Sequence, residues 1–301
     1  MGQLVAKLSI ALIAAACPLV VGADSGGNGR PDSVAWSRLE YRGSKLMFSA
    51  DSEIELERIP ASETVTELTM PDPGPALMPK TDETMLVSLR TTGLGRESLL
   101  TLWLEPPGSA LQRISTEVGK RYRYSSYRFA EDGVYQTRRY PAGKNEHALP
   151  PDEWSQGAET YQEYSEVCGN PCTVSTPAAL FYLLAISPIR GPGDSVELLV
   201  YTSKGLAKVG ITAHKPDRIR ANYVEESGHT ERHIKESVDV LRLKLRADPI
   251  DEDENANFRF LGLQHDIVLY FLPQQRLLVQ IEGRVPKVGK VKIKLRRAIF
   301  D

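Results

Sequence analysis

Lys290-Val291-Lys292-Ile293-Lys294-Leu295-Arg296 alternates a base with a hydrophobe at every position. Successive side chains of a strand point to opposite faces, so a period of two predicts a β-strand with one apolar and one basic face. A helix would scatter the same residues around its circumference. Val238 to Leu245 repeats the pattern, with Leu241, Leu243 and Leu245 against Arg242, Lys244 and Arg246. Ser52 to Ile59 carries an acidic version, in which Ile54, Leu56 and Arg58 share one parity and Glu53, Glu55 and Glu57 the other.

Working outward, Trp36 to Tyr41, Met85 to Leu89, Leu99 to Leu104, Val196 to Tyr201, Leu206 to Thr212, Ile267 to Leu272 and Leu277 to Glu282 read as further strands. Tyr122 to Phe129 and Val134 to Tyr140 flank Glu131-Asp132-Gly133, a hairpin signal. The Pro-rich Met70 to Pro79 cannot sustain a ladder and reads as a loop. Residues 141–165 are polar, carry Pro150-Pro151, and read as a long surface connection. One helix stands out. Ser175-Thr176-Pro177 supplies cap residues and a first-turn proline, Ala178 to Ile186 is apolar on every side, and Ser187-Pro188 ends it. A helix apolar all round is buried or faces an apolar ligand. Connections are short, which suits antiparallel neighbours, and no strand–helix alternation predicts a parallel sheet. The expected fold is mainly β: a large antiparallel curved sheet or open barrel with one buried short helix.

The ends of the chain speak to location. Residues 1–23 read as a signal peptide, with Lys7 as its basic start, Leu8 to Val21 as its apolar stretch and Val21-Gly22-Ala23 before the cut. Residues 24–32 then form a flexible linker, and 33–301 a single β-rich domain. The expected location is the periplasm. The alternative is a lipoprotein anchored through Cys17, since Ala14-Ala15-Ala16-Cys17 resembles a lipoprotein processing site. No later stretch is apolar and long enough to span a bilayer, so no transmembrane segment is expected in the mature chain. Cys168-Gly169-Asn170-Pro171-Cys172 places two cysteines either side of a strong turn; in an exported protein the expected state is a Cys168–Cys172 disulfide. Redox, metal-binding and free-thiol states are the alternatives.

Composition narrows the chemistry. With 41% hydrophobic and 25% charged residues the chain has enough apolar material for a core. The net charge of -2 argues against a nucleic-acid partner, yet it conceals two poles. Residues 276–301 hold eight Lys/Arg against two acids, and residues 31–105 hold 13 acids against seven bases. Lys290, Lys292, Lys294 and Arg296 are the candidate basic surface, suited to an anionic membrane or acidic glycan. Arg121, Arg123, Arg128, Arg138 and Arg139 interleave with tyrosines, which in an exported protein fits an anionic glycan or, better, cross-strand pairing rather than base stacking. His229-Thr-Glu-Arg-His233 lacks the zincin order and would bring its two imidazoles to one ion only on a helix. Asp251 to Asn257 resembles the start of a calcium loop but has Ala256 at the place that requires glycine. No nucleophile elbow or phosphate loop is present. No catalytic residue, metal ligand or cofactor is therefore assigned.

Thr176-Pro-Ala-Ala-Leu-Phe-Tyr-Leu-Leu-Ala-Ile-Ser187 followed by Gly193-Asp-Ser, and Leu272-Pro273, Ile281-Glu-Gly and Val291-Lys-Ile-Lys-Leu295, are similar to an uncharacterised family of exported bacterial proteins classed as a domain of unknown function. The likeness covers the second half of the chain, with Leu39-Glu-Tyr41 fitting more loosely. It implies an envelope location and an antiparallel β fold, and it carries no catalytic residues to transfer. The function expected is non-catalytic binding of a lipid or other hydrophobic envelope ligand, with Phe181, Tyr182 and Leu184 as the candidate contacts. The alternatives are a structural or adaptor protein in envelope assembly, and a glycan hydrolase.

Overall fold

Strands follow one another from Trp36 to Phe300. The computed structural model describes residues 34–45, 48–68, 74–93, 95–164, 173–250 and 256–301. The first half comprises β1 (Trp36–Lys45), β2 (Phe48–Pro60), a short helix α1 (Ala61–Glu67), β3 (Glu83–Gly93), β4 (Arg96–Glu105), β5 (Ser109–Gly119), β6 (Arg123–Phe129), β7 (Gly133–Tyr140) and β8 (Gln156–Glu163). A 3-10 turn (Pro177–Ala179) then runs into α2 (Leu180–Ile186). The second half comprises β9 (Ser195–Thr202), β10 (Gly205–Arg220), β11 (Tyr223–Ser227), β12 (Thr230–Ile234), β13 (Ser237–Pro249), β14 (His265–Leu272), β15 (Leu277–Val285) and β16 (Gly289–Phe300). All belong to one 16-stranded sheet in the order β8-β7-β6-β5-β4-β3-β2-β1-β16-β15-β14-β13-β10-β9, with the β11–β12 hairpin attached to β16. The ladder between its two end strands does not close. The fold is thus mainly β, antiparallel and open.

Two meanders meet where β1 pairs with β16. Tyr41 lies opposite Leu295 and Gly43 opposite Ile293, while on the other side of β1 Leu39 lies opposite Ile54. Following these partners outward keeps the apolar parity of every predicted strand on one concave face: Ile54 to Leu89 to Leu100 in one direction, Ile293 to Ile281 to Leu269 to Leu243 to Ala213 in the other. Glu53, Glu55 and Glu57 fall on the convex face, where Arg38 pairs with Glu53 and Glu55.

Helix α2 fills the concavity. Leu180, Leu184 and the flanking Ala179 are at most 1% exposed, and Phe181 packs against Tyr41 and Phe260 with ring centroids 5.6 and 5.0 Å apart. Its last carbonyls have no helical partner. Arg276, in the β14–β15 turn, supplies one: Nε donates to the Ala185 oxygen (2.6 Å), Nη1 to Ile189 (2.8 Å) and Nη2 to Leu184 (3.0 Å) and Ser187. Burial, reinforced by nearby Arg190, pulls the pKa of Arg276 down to about 10.

The sheet is rolled, not merely curved. On β9, Val196, Leu198 and Val200 share the concave face with their β10 partners Ile211, Val209 and Ala207. Tyr201 therefore points to the opposite side, yet it is 3% exposed and packs edge-on against Tyr127 and Phe129, which belong to the concave face of β6. The β9 edge is tucked against the inside of β6–β8. Val174-Ser175 stitches the seam: the Val174 oxygen accepts from Ala110 N at the start of β5, Ser175 N donates to Leu199 O, and Tyr201 N donates to Ser175 O.

Several elements depart from the sequence-based expectation. Strands β5, β8, β11 and β12 and helix α1 were not expected. Residues 141–165 are more than a connection, since they hold two 3-10 turns and the whole of β8. Strand β8 is exposed at all eight positions, so no burial-driven alternation marks it; its ladder to β7, including the Tyr135–Tyr161 pair, defines it. Helix α1 and Leu77 cover a second apolar cluster of Ile59, Leu68, Trp103 and Leu111 that is separate from the main core. Trp103 Nε1 donates to Glu67 at the end of α1 (2.9 Å). The signal and linker readings on 1–32, with Cys17, and the Cys168–Cys172 turn lie outside the described residues, as do the Asp251–Asn255 ligands of the calcium-loop reading.

Candidate functional site

One cavity lies at the 3-10 turn before α2 and another beside α2 itself. The first, of about 190 Å³, lies at the Pro177–Ala178 turn. Its sheet wall is the cross-strand pair Leu89 and Leu100 together with Arg113 on β5, and its opposite wall is Phe260 and Leu261. The β9–β10 turn, Thr202 and Ser203, and the segment Asn257–Arg259 form the rim. Asn257 Nδ2 donates to Ser203 Oγ (2.7 Å) and so ties these two rim pieces together. Thr202 uses its hydroxyl to close its own turn by donating to the Gly205 oxygen (3.0 Å).

Arg113 is the unusual member. Its cross-strand partners on the concave face are Leu102 and Tyr127, and its guanidinium carbon sits 4.0 Å from the centroid of the Tyr127 ring. Burial lowers its pKa, against the pull of Tyr127 and Tyr201 and with a further lowering by Arg123. Nε is buried and, among the described residues, has no hydrogen-bond partner. The Tyr127 hydroxyl is engaged by Gln136 Nε2. Arg259, the other cation on the wall, meets the side-chain oxygen of Gln264 when that amide is oriented to satisfy both groups.

The second cavity, about 330 Å³, lies at the other side of α2 and is lined by Tyr182, Ile186, Met85 and Pro106-Pro107, with the Arg58–Glu83 ion pair beside it. Of the three side chains expected to contact a ligand, Tyr182 lines this cavity. Phe181 and Leu184 are packed within the core, 3% and 1% exposed, because they face the apolar side chains of the rolled sheet. The open space lies before and beside the helix, a location that periodicity does not encode.

The two basic strands come together on the convex face. One cross-strand row runs Arg242, Tyr270, Gln280, Lys294; the next runs Lys244, Val268, Glu282, Lys292. Lys290, Lys292, Lys294 and Arg296 thus share a face with Arg242 and Lys244, with strands β14 and β15 between them. Glu282, which sequence reasoning did not single out, sits among them with its side chain 6% exposed and binds Lys292 (2.8 Å) and Lys290 (3.0 Å). Burial alone would raise its pKa; the hydrogen bonds and charges of Lys292 and Lys290 outweigh that and hold it below the ordinary value. Lys294, Arg296, Arg242 and Lys244 form no ion pair among the described residues. A groove of about 760 Å³ runs beside Arg242, Lys244, His214 and Lys215.

The tyrosine–arginine interleaving resolves into pairing: Arg128 lies over its cross-strand neighbour Tyr135 (5.4 Å), and Arg139 bonds Glu159 on β8 (2.9 Å). His233 lies on strand β12 with His229 in the turn before it, so the two are not on a helix, and His233 Nε2 is 3.1 Å from Glu231. Among the described residues no three His, Cys, Asp or Glu side chains converge as a metal site. Nor is any described helix long and apolar enough to cross a membrane. No family model, curated protein or solved structure matches the chain.

Proposed function

We propose that this is a non-catalytic binding protein of the bacterial cell envelope that takes the apolar part of a ligand into the rolled sheet beside α2. The observation that carries the reading is the cavity at the Pro177–Ala178 turn, walled by Leu89, Leu100, Phe260 and Leu261. Ligand sites are concave, mostly apolar and provided with a few placed polar groups, and this cavity has that composition. Its volume limits the inserted part to a short chain or a single ring, since an engineered cavity of about 150 Å³ holds benzene. The export signal read at residues 1–23 and the resemblance to exported β-rich proteins support the location. Native mass spectrometry of protein purified from the periplasm, before and after solvent extraction, tests the reading. A removable adduct is expected, and Leu100→Phe should exclude it while leaving the circular dichroism unchanged. Ligand-free protein that takes up no added amphiphile would overturn it.

A second reading rests on the convex basic rows. Lys294, Arg296, Arg242 and Lys244, without acid partners among the described residues, offer an anionic bilayer several cations, each worth about 1 kcal/mol near such a surface. This supports a peripheral or adaptor role in the envelope. Co-sedimentation with phosphatidylglycerol-containing vesicles is the test. Binding should fall with added salt and be lost in Lys294→Glu/Arg242→Glu, with ligand content spared. Equal sedimentation with neutral vesicles would refute it.

A further inference from the structure

Arg113 occupies a position on the concave face where its strand neighbours in space are Leu102 and Tyr127. A guanidinium taken out of water is costly unless an opposite charge and acceptors compensate it. Among the described residues no carboxylate lies within ion-pair distance of Arg113, and its Nε has no acceptor. The second charged group on the cavity wall is another cation, Arg259. The Tyr127 ring beneath the guanidinium contributes a cation–π contact. That contact serves the flat face of the group, a hydrogen bond to Tyr127 occupies part of its edge, and Nε is left without an acceptor among the described residues. A guanidinium edge that carries an unmet Nε matches a planar, two-oxygen acceptor.

The rest of the wall constrains what carries that acceptor. Leu89, Leu100 and Phe260 are apolar, so the body of the ligand is apolar. At the rim, Ser203 Oγ already accepts from Asn257, which leaves its own hydroxyl proton to donate. One guanidinium with a buried Nε plus one hydroxyl suits a monoanion better than a phosphate dianion, which calls for more donors.

We infer that Arg113 is the headgroup site of the ligand proposed above, and that the ligand is a carboxylic acid with a short acyl or ring body whose carboxylate pairs with the Arg113 guanidinium while its body lies against Leu89, Leu100 and Phe260. This rests on the cavity reading and adds the class of head group to it.

Isothermal titration of the full-length protein with octanoate, 1-octanol and octyl phosphate separates the two claims. Octanoate should bind at least about tenfold more tightly than octanol, the difference that charge-assisted hydrogen bonds supply. Arg113→Met should erase that preference while octanol binding persists. Arg113→Lys, which keeps the charge and loses the planar fork, should retain part of it. Equal affinity for octanoate and octanol in the wild type would overturn the headgroup assignment and leave the cavity reading standing. A preference for octyl phosphate would overturn the carboxylate class, and an unchanged octanoate preference in Arg113→Met would remove Arg113 from the site. Failure of all three probes to bind would overturn the cavity reading and this inference together.

Discussion

The phenol of Tyr201 on β9 donates a 2.7 Å hydrogen bond to the side-chain oxygen of Gln162 on β8, joining the two strands at opposite ends of the sheet. No backbone ladder connects these strands. The roll is held at this point by one side-chain bond and by the packing of Tyr201 on Tyr127 and Phe129. Tyr201→Phe should therefore lower stability by about 1 kcal/mol, the worth of a hydrogen bond. Tyr201→Ala should lower it by about 3–5 kcal/mol through the lost aromatic contacts. Urea unfolding measures both; equal losses would show that the ring contributes nothing to the seam.

Arg276 is the clamp on α2. Replacing it with Met leaves the carbonyls of Leu184, Ala185, Ser187 and Ile189 without the donor they share. Ser187 still donates to the Leu184 oxygen and Arg190 to those of Ser187 and Ile189, so among the described residues only the Ala185 oxygen is stranded, and a loss of about 1–3 kcal/mol follows. Arg276→Lys should recover less than half, because an ammonium cannot address four carbonyls from one plane. Thermal and urea midpoints of the three proteins decide it.

Glu282 predicts a pH dependence. Its folded pKa is held below the ordinary value, so the Lys290–Glu282–Lys292 cluster stabilises the fold above the unfolded pKa and loses that contribution as pH falls through the folded one. Glu282→Gln should be less stable than wild type at neutral pH. Its stability should also change less over the acid range from about pH 5 downward. Urea midpoints taken across that range would show parallel curves if the cluster were inert.

Gly108 faces Leu183 of α2. Its φ of +139° lies in the region that side chains avoid, and a Cβ there would run into the Leu183 side chain. Gly108→Ala should cost about 2 kcal/mol or more from backbone strain and overpacking together. In a double-mutant cycle, Leu183→Ala should relieve the overpacking part and leave the strain. Full additivity would place the whole effect in the backbone.

What was readable locally was read wherever one strand face is buried and the other wet. Lys290–Arg296, Arg242–Arg246 and Glu53–Glu57 alternate because their concave partners are apolar and their convex ones charged. The strands missed are those in which burial does not alternate. Strand β5 buries Gln112 and half-buries Arg113 beside a register shift opposite Trp103, and β8 is exposed on both faces. The half-buried Arg113 gave no signal of its own, since an arginine in a strand reads as solvated until the β9 edge is seen tucked against it.

Period-two patterning, turn residues and the all-apolar stretch from Ala178 to Ile186 determined on their own that this chain makes a large antiparallel sheet around a short helix. They act between neighbours in sequence, where side-chain parity and turn geometry are local properties. That Tyr201 meets Gln162, that Arg276 reaches back to the end of α2, and that Arg113 shares a cavity with Phe260 were decided by the roll of the sheet. Rolling brings together residues from strands remote in the pairing order, and which of them meet depends on the accumulated register and twist of the intervening strands, a quantity that no single segment contains.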